Sequence, residues 1–350
     1  MASGSRTQGD RVAEEKSVAF NASPSRRSHL FPNFKPLEMN DRAEIEAFTR
    51  RFDPYSDFCF SLLTFYNCGE HTSWCWLNEN LVLRFSDSFG PGVFLTFLGT
   101  HRVAATADVL INYAVEMGFT PVLWRIPEVT AKALAQESEA FFIEEDRDGF
   151  DYVYALDSLA RMDGPAFCAL RRDLNQIKRR HSPHEFVELD LRDATTRRDL
   201  QSVMTLWNAH KQAEGTVENY HRALDNCLRH AGAFDLIGLG AIVGDSLAGF
   251  TLAEQIGNGW MLSHFAVAAP RLSGVSGSLL HQLALAGVNL GFANLNYQED
   301  VGDPGLRRFK MKCVPGFLRK FSVSRATREG EAPPEPIIVG SHGGSPSRTN

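Results

Sequence analysis

The densest run of chemically able side chains in this 350-residue chain is Asn296-Tyr297-Gln298-Glu299-Asp300-Val301-Gly302-Asp303-Pro304-Gly305-Leu306-Arg307-Arg308-Phe309-Lys310. Asp303 followed by Pro304 is an N-cap and first-turn signature, so a helix starts there and carries Arg307 and Lys310 on the face of its cap. A cationic face beside carboxylates suits a bound carboxylate, a phosphate or the end of an RNA, although a capped, solvated helix would look the same. Glu299 and Asp300 are adjacent and in an extended chain face opposite ways, so one of them at most enters a given cleft. Asn296, Glu299, Asp303, Arg307 and Lys310 are therefore the candidate substrate-binding residues. Glu254 and His264 each interrupt an apolar run, where a polar group is either paired or functional, and a histidine so placed can serve as a general base. A further group, Arg171, Arg172, Lys178, Arg179 and Arg180, falls within one short helix. Its charge is either a solvated face or a set of contacts to RNA phosphates.

The elements that must carry these residues alternate. Strands are expected at 80–85, 93–98, 121–125 and 151–155, with a helix at 104–117 between them, which is an α/β pattern. A basic, mostly helical connector follows at 161–184. Beyond it come a strand at 186–191, helices at 197–211 and 217–230, and strands at 235–241 and 247–254 joined through Gly244-Asp245. A strand at 260–268, a Gly/Ser-rich loop at 271–278, an apolar helix and a strand at 293–297 complete the series. This order, β-α-α-β-β-β-loop-α-β-α-β, resembles a Gcn5-related N-acetyltransferase (GNAT) domain, and the first half reads as a degenerate copy without a repeat at the residue level. The expected fold is thus α/β, two GNAT-like domains in tandem, with mixed central sheets flanked by helices. The N-terminal domain takes 30–160, the connector 161–185 and the C-terminal domain 186–326. Disordered tails at 1–29 and 327–350 are expected from their polar, Pro/Gly/Ser-rich composition. In GNAT enzymes the pattern Arg/Gln-x-x-Gly-x-Gly/Ala holds the coenzyme A pyrophosphate, which makes Arg271, Gly274, Ser276 and Gly277 a possible coenzyme A loop.

Composition narrows the function classes. A net charge of -6 argues against a wholly nucleic-acid-binding surface but leaves room for a local basic patch. The six cysteines contain no CxxC pair, so no disulfide scaffold is expected. Cys68, His71 and Cys75 are close in sequence but lack a fourth ligand at usual spacing, and no metal is expected. No apolar run reaches the roughly 18 to 20 residues a membrane helix needs, and the N-terminus is polar. A cytoplasmic protein without integral membrane association is the expectation.

The motif Asn296-x-x-x-Asp300-x-Gly302-x-x-Gly305-Leu306-Arg307-x-x-Lys310, with Pro315 soon after, resembles the signature of the DUF2156 family, related to the C-terminal catalytic domain of phosphatidylglycerol lysyltransferase. Asp53-Pro54-Tyr55-Ser56-Asp57-Phe58 resembles the family's opening motif. Asp163-Gly164 leading into Arg171-Arg172-x-x-Asn175 resembles its Lys/Arg-Arg-Asn helix, so the likeness spans about residues 53–323. It implies an acyltransferase that moves an aminoacyl group from aminoacyl-tRNA to an amine or hydroxyl by direct attack, as its Fem-type cousins do on peptidoglycan precursors. By that resemblance Asp300 or His264, with Glu254, are the catalytic candidates, and Arg307 with Lys310 hold the tRNA end or the developing charge. Aminoacyl-tRNA is then the co-substrate, a small molecule, lipid or peptide the acceptor, and no further cofactor is implied. Gln298 stands where the resemblance leads to an acid, and the membrane-spanning region of the lipid-modifying enzymes is absent. Two other readings are an acyl-CoA-dependent N-acyltransferase using the 271–277 loop, with a coenzyme A thioester as donor, and a non-catalytic ligand-binding protein of the same fold.

Overall fold

The computed structural model describes residues 29–67, 72–87, 92–211 and 216–326. Apart from His29, the expected tails at 1–29 and 327–350 lie outside the described residues, as do Cys68 and His71.

The chain opens with β1 (Lys35–Pro36), an edge strand, and helices α1 (Arg42–Thr49) and α2 (Phe60–Phe65). An antiparallel meander follows: β2 (Thr72–Leu77), β3 (Asn80–Asp87) and β4 (Gly92–Leu98). Strand β2 is absent from the sequence expectation. Its Trp74 and Trp76 face one apolar cluster with Leu81 and Leu83, while Cys75 faces another with Val82 and Phe97. Both faces are covered, so the strand reads as an unbroken apolar run without polar alternation. Cys75 is a core thiol whose pKa burial pushes up to about 12. After β4 come α3 (Val103–Glu116), β5 (Leu123–Pro127), α4 (Glu128–Glu137) and β6 (Phe141–Glu145), with β5 parallel to β4.

Next come β7 (Asp151–Ala155), α5 (Leu156–Arg161) and the connector helix α6 (Cys168–Arg180). The second half then supplies β8 (His184–Glu188), α7 (Ala194–Lys211), α8 (Thr216–His230), β9 (Leu236–Val243), β10 (Ser246–Gly257) and β11 (Trp260–Ala268). Helix α9 (Val275–Asn289), β12 (Asn294–Asn296), α10 (Pro304–Lys310) and β13 (Gly316–Leu318) follow in the expected order, and β14 (Lys320–Arg325) ends the folded chain. Asp303 caps α10 as its sequence predicts, its carboxylate accepting from the backbone N–H groups of Gly305 and Leu306 at 2.6 and 3.0 Å.

Two mixed seven-stranded sheets result, β1-β2-β3-β4-β5-β14-β6 and β8-β9-β10-β11-β12-β7-β13. Their patterns are the same. Each has an antiparallel meander, a parallel strand returned by a helix, and then an antiparallel strand lent by the other half: β14 beside β5, and β7 beside β12. The duplication missing at the residue level is therefore present in the topology, because strand pairing rests on backbone hydrogen bonds that tolerate many side chains. The division expected at 160 and 186 is crossed by both lent strands. Helices α7 and α8 cover the Phe250, Leu252 and Phe265 face of the second sheet, and α9 with α6 covers the opposite face, at Ala253 and Met261. No helix among the described residues is long and apolar enough to cross a membrane.

Candidate active site

Pairing between β10 and β11 is interrupted once. Leu252 faces Phe265 and Ala253 faces Ser263, which leaves His264 as the extra residue of a β-bulge. Its imidazole meets Glu254, with Nε2 and Oε2 3.0 Å apart, and the Phe65 ring stands edge-on to the imidazole at 4.8 Å. Both side chains are buried, but they are not equivalent. Glu254 lines a cleft of about 780 Å³ between the two halves, and His264 stands behind it. Glu254 thus stands on the cleft wall, with the imidazole bonded to its carboxylate from behind.

The rest of the cleft comes from both halves. Arg42 and Glu46 of α1 and the loop from Asp53 to Tyr55 form one wall, and Asp235 and Trp260 stand on the other. Arg42 is bonded to Glu46 at 2.7 Å, lies 4.5 Å over the Phe234 ring and donates to the Ala233 carbonyl, so it clamps α1 to the segment leading into β9. Asp53 and Asp235 are exposed at the rim, without an ion-pair partner among the described residues. Cys59 also lines the cleft, but burial and then the Glu254 charge push its thiol well above the ordinary range, which leaves it a poor nucleophile.

Behind the Asp53 to Tyr55 wall, a buried ionic cluster joins the sheets. Lys320 of β14, fully buried, pairs with Asp57 and, at 2.8 Å, with Asp151 of β7, and it bonds the Ser56 hydroxyl at 3.0 Å. Asp151 also accepts from the Ser56 backbone N–H at 2.7 Å and from Asn296 at 3.1 Å, while Arg125 of β5 reaches Asp57 at 2.9 Å. Burial by itself would lower the Lys320 pKa, but Asp151 and Asp57 outweigh it and raise it. Burial likewise pushes Asp57 up, and Lys320 and Arg125 more than reverse this. Lys320 and Arg125 are missing from the sequence expectation. Their only signal is a cation set in an apolar strand run, and their partners are far away along the chain.

The 296–310 segment is divided between this cluster and a second network. Asn296 donates to the Pro54 carbonyl at 2.8 Å, and Glu299 accepts from the Ser56 hydroxyl at 3.2 Å. Asp300, facing the other way as adjacent residues must, accepts from the Tyr152 hydroxyl at 2.5 Å, from Arg307 at 2.8 and 2.7 Å and from the Gly302 N–H at 2.9 Å. Arg307 also bonds Asp148 at 2.6 Å. Burial opposes ionisation of Asp300, but these donors outweigh it and hold its pKa below 3.8. Asp300 and Arg307 are therefore brought together, in a closed pair away from the cleft. Lys310 is not part of that pair. Its buried ammonium donates to the carbonyls of Tyr297, Gln298 and Glu299 at 2.6, 3.2 and 2.6 Å, and burial lowers its pKa to about 8. Gln298 donates to the Ser263 carbonyl and, at 3.4 Å, to that of His264, where β11 runs on past the end of β12. Only a donor fits between two carbonyls, which accounts for an amide where an acid was expected.

The connector cations separate as well. Arg171 is turned inward to the Met162 carbonyl and, at 3.0 Å, the Cys168 sulfur, whereas Arg172, Lys178, Arg179 and Arg180 are exposed. The possible coenzyme A loop is covered by this same helix. A Cβ at Gly274 would stand 2.3 Å from the Asp173 carbonyl oxygen, and one at Gly277 would stand 2.5 Å from the Asp173 carboxylate. Those glycines admit α6, and the Asp173 carboxylate, paired with Lys312 at 2.8 Å, supplies the negative charge at the start of α9 that a pyrophosphate would otherwise bring. Ser276 is half-buried in the first turn of α9, and Arg271 is exposed ahead of it.

Among known proteins, the family described as "Phosphatidylglycerol lysyltransferase, C-terminal" matches residues 55–324. No curated protein matches. A solved conserved protein of unknown function from Bacteroides thetaiotaomicron is 25% identical, with 84% of this chain and 99% of that one covered and a TM-score of 0.71. The C-terminal domain of a putative lysylphosphatidylglycerol synthetase from Agrobacterium fabrum is similar in fold, with 13% identity, 82% and 93% coverage and a TM-score of 0.58. So is L-PGS from Bacillus licheniformis, with 15% identity, 83% and 93% coverage and a TM-score of 0.55.

Proposed function

The chain belongs to the family of phosphatidylglycerol lysyltransferase C-terminal domains and is an acyltransferase of the aminoacyl-transferring kind, and from that premise we propose that it takes an aminoacyl group from aminoacyl-tRNA in the cleft between its halves. The observation that carries the reading is Glu254: a buried carboxylate on the cleft wall, held by a buried histidine, in strands that are otherwise apolar. An acceptor hydroxyl or amine attacks the ester carbonyl. Its oxygen or nitrogen bonds to the carbonyl carbon, the ester bond to the ribose oxygen breaks, and Glu254 takes the acceptor proton and returns one to the departing ribose oxygen. No covalent enzyme intermediate is needed, because the ester is already activated and positioning supplies much of the acceleration. Asp53 and Asp235 at the rim fit the α-ammonium group that every aminoacyl ester carries. The family's description names phosphatidylglycerol, which makes a headgroup hydroxyl the first acceptor to try; small-molecule and peptide amines suit the same chemistry.

The coenzyme A alternative fits less well. Asp173 and the backbone of α6 lie where the pyrophosphate would sit, and Gln298 fills the gap between β11 and β12. The test is transfer of labelled amino acid from charged tRNAs to phosphatidylglycerol, with acetyl-CoA as the competing donor. Glu254→Gln should lower kcat/KM about a hundredfold or more while the protein stays folded. Transfer from acetyl-CoA alone, or an undiminished rate in E254Q, would overturn the reading.

A further inference from the structure

Three polar side chains of the 296–310 segment take no part in the proton transfer, and they meet at one residue. Lys310, the last residue of α10, donates to the carbonyls of Tyr297, Gln298 and Glu299 at 2.6, 3.2 and 2.6 Å. In an extended chain successive carbonyls alternate in direction, but Gln298 stands at φ 57°, in the left-handed region that residues with a Cβ rarely adopt. Asn296, fully buried, accepts the Gln298 backbone N–H through Oδ1 at 2.8 Å. Its amide donates to the Pro54 carbonyl on the cleft wall at 2.8 Å and to Asp151 at 3.1 Å. Gln298 is therefore held at its N–H by one side chain and at its carbonyl by another. Burial lowers the Lys310 pKa to about 8, so keeping an ammonium there works against the fold, as does a left-handed glutamine. Neither is needed to pair β12, which has ended at Asn296.

What this clamp holds still is the Gln298 side chain. Its Nε2 donates to the Ser263 carbonyl and, at 3.4 Å, to the His264 carbonyl. Successive carbonyls of a regular strand point to opposite edges, so one amide reaching both marks the backbone as irregular at the bulge in β11. His264 itself carries the imidazole bonded to Glu254 at 3.0 Å. An unbroken line of contacts thus runs from α10 through Gln298 to the His264 backbone and on to Glu254. None of Asn296, Gln298 and Lys310 lines the cleft, so the line reaches the carboxylate from behind. We infer that Gln298 is a positioning residue for the transfer reaction: clamped by Asn296 and Lys310, its amide fixes the backbone of Ser263 and His264 and so holds the imidazole against Glu254. A glutamate in its place has the same length but no N–H to offer two carbonyls. The inference rests on the reading of Glu254 as the proton acceptor.

The experiment joins the transfer assay above to NMR spectra of the substrate-free, full-length protein with isotopically labelled histidines, the His264 ring signals being assigned by their loss in His264→Phe. Gln298→Glu should lower kcat about tenfold or more while KM for donor and acceptor moves by less than about twofold. The His264 ring signals should be displaced, and the Tm should stay within a few degrees of wild type. Gln298→Met removes the donors without adding a charge and should act in the same direction, so it carries the test if the charged variant does not fold. Undiminished kcat in both variants, beside an inactive E254Q, would overturn the positioning role and leave the Glu254 reading standing. A lower Tm and kcat with the His264 signals in their wild-type places would overturn it too, since Gln298 would then serve the fold alone. An undiminished rate in E254Q would overturn the Glu254 reading and this inference with it.

Discussion

A carboxylate taken out of water must be held by donors, and two acids here show opposite uses of that rule. Glu254 is bonded to the buried His264 and otherwise stands on the cleft wall, as the proposed proton transfer requires. Replacing His264 with Phe should leave Glu254 in place but unoriented, so kcat in the aminoacyl-tRNA assay should fall about tenfold or more while KM changes little. Asp300 is satisfied on every side, by Tyr152, Arg307 and the Gly302 N–H, and its role is to hold the turn between β12 and α10. Because those donors hold its folded pKa below 3.8, the stability it adds is fully present above the unfolded carboxylate value and is lost as pH falls through the lower folded one. Urea unfolding of Asp300→Asn at neutral pH should show a loss of about 3 kcal/mol, since Arg307 is left without its buried partner. That difference from wild type should shrink below about pH 4.

Elements here are placed by close backbone approach as much as by apolar patterning. Helix α6 can reach the start of α9 only because Gly274, at φ 89°, and Gly277 carry no side chain. Gly274→Ala would force a methyl group to within 2.3 Å of a backbone carbonyl that cannot swing away. Gly291→Ala is the fitting control, since Gly291 has a similar φ of 83° and open space around it. Thermal or urea unfolding should give a loss of about 1 kcal/mol for G291A, the strain of a left-handed residue by itself, and several for G274A. If both cost the same, α6 is not seated on α9 in this way. The bulge in β11 works by the same kind of local spacing, since its extra residue, His264, lets Phe265 stand opposite Leu252 while Glu254 stays opposite Leu262.

At the scale of the whole molecule, the lent strands make two similar halves into one folding unit. Without β14 the first sheet has a gap between β5 and β6, and without β7 the second loses the strand that joins β12 to β13. Lys320 on one lent strand and Asp151 on the other meet in the buried cluster, so the same residues fasten both sheets. Differential scanning calorimetry should therefore record a single cooperative transition. Lys320→Met should lower it as a unit, by about 3 to 5 kcal/mol, because Asp151 would be left as a buried charge without its cation and Asp57 with Arg125 alone. Two separate transitions, with only one moved by K320M, would show that the halves fold independently. Neither residues 30–160 nor residues 186–326 should yield a folded fragment when expressed alone.

The sequence by itself determined what depends on neighbours along the chain. Strands β11 and β7 fall where the apolar runs put them, and α10 starts at the Asp303-Pro304 cap, because a helix cap and a strand period are local properties. Glu254 and His264 stood out for the same reason, as polar interruptions of apolar runs. Only the tertiary structure decided which carboxylate lines the cleft. Asp300 and Glu254 are both buried acids near strand ends, and the difference lies in partners such as Tyr152, 148 residues from Asp300 in sequence, and Phe65, far from His264. The lent strands are illegible on the same ground, since Lys320 pairs with Asp151 across 169 residues and no local period records it. Strand exchange and ion clusters are long-range closures, and a pattern read along the chain carries no trace of them.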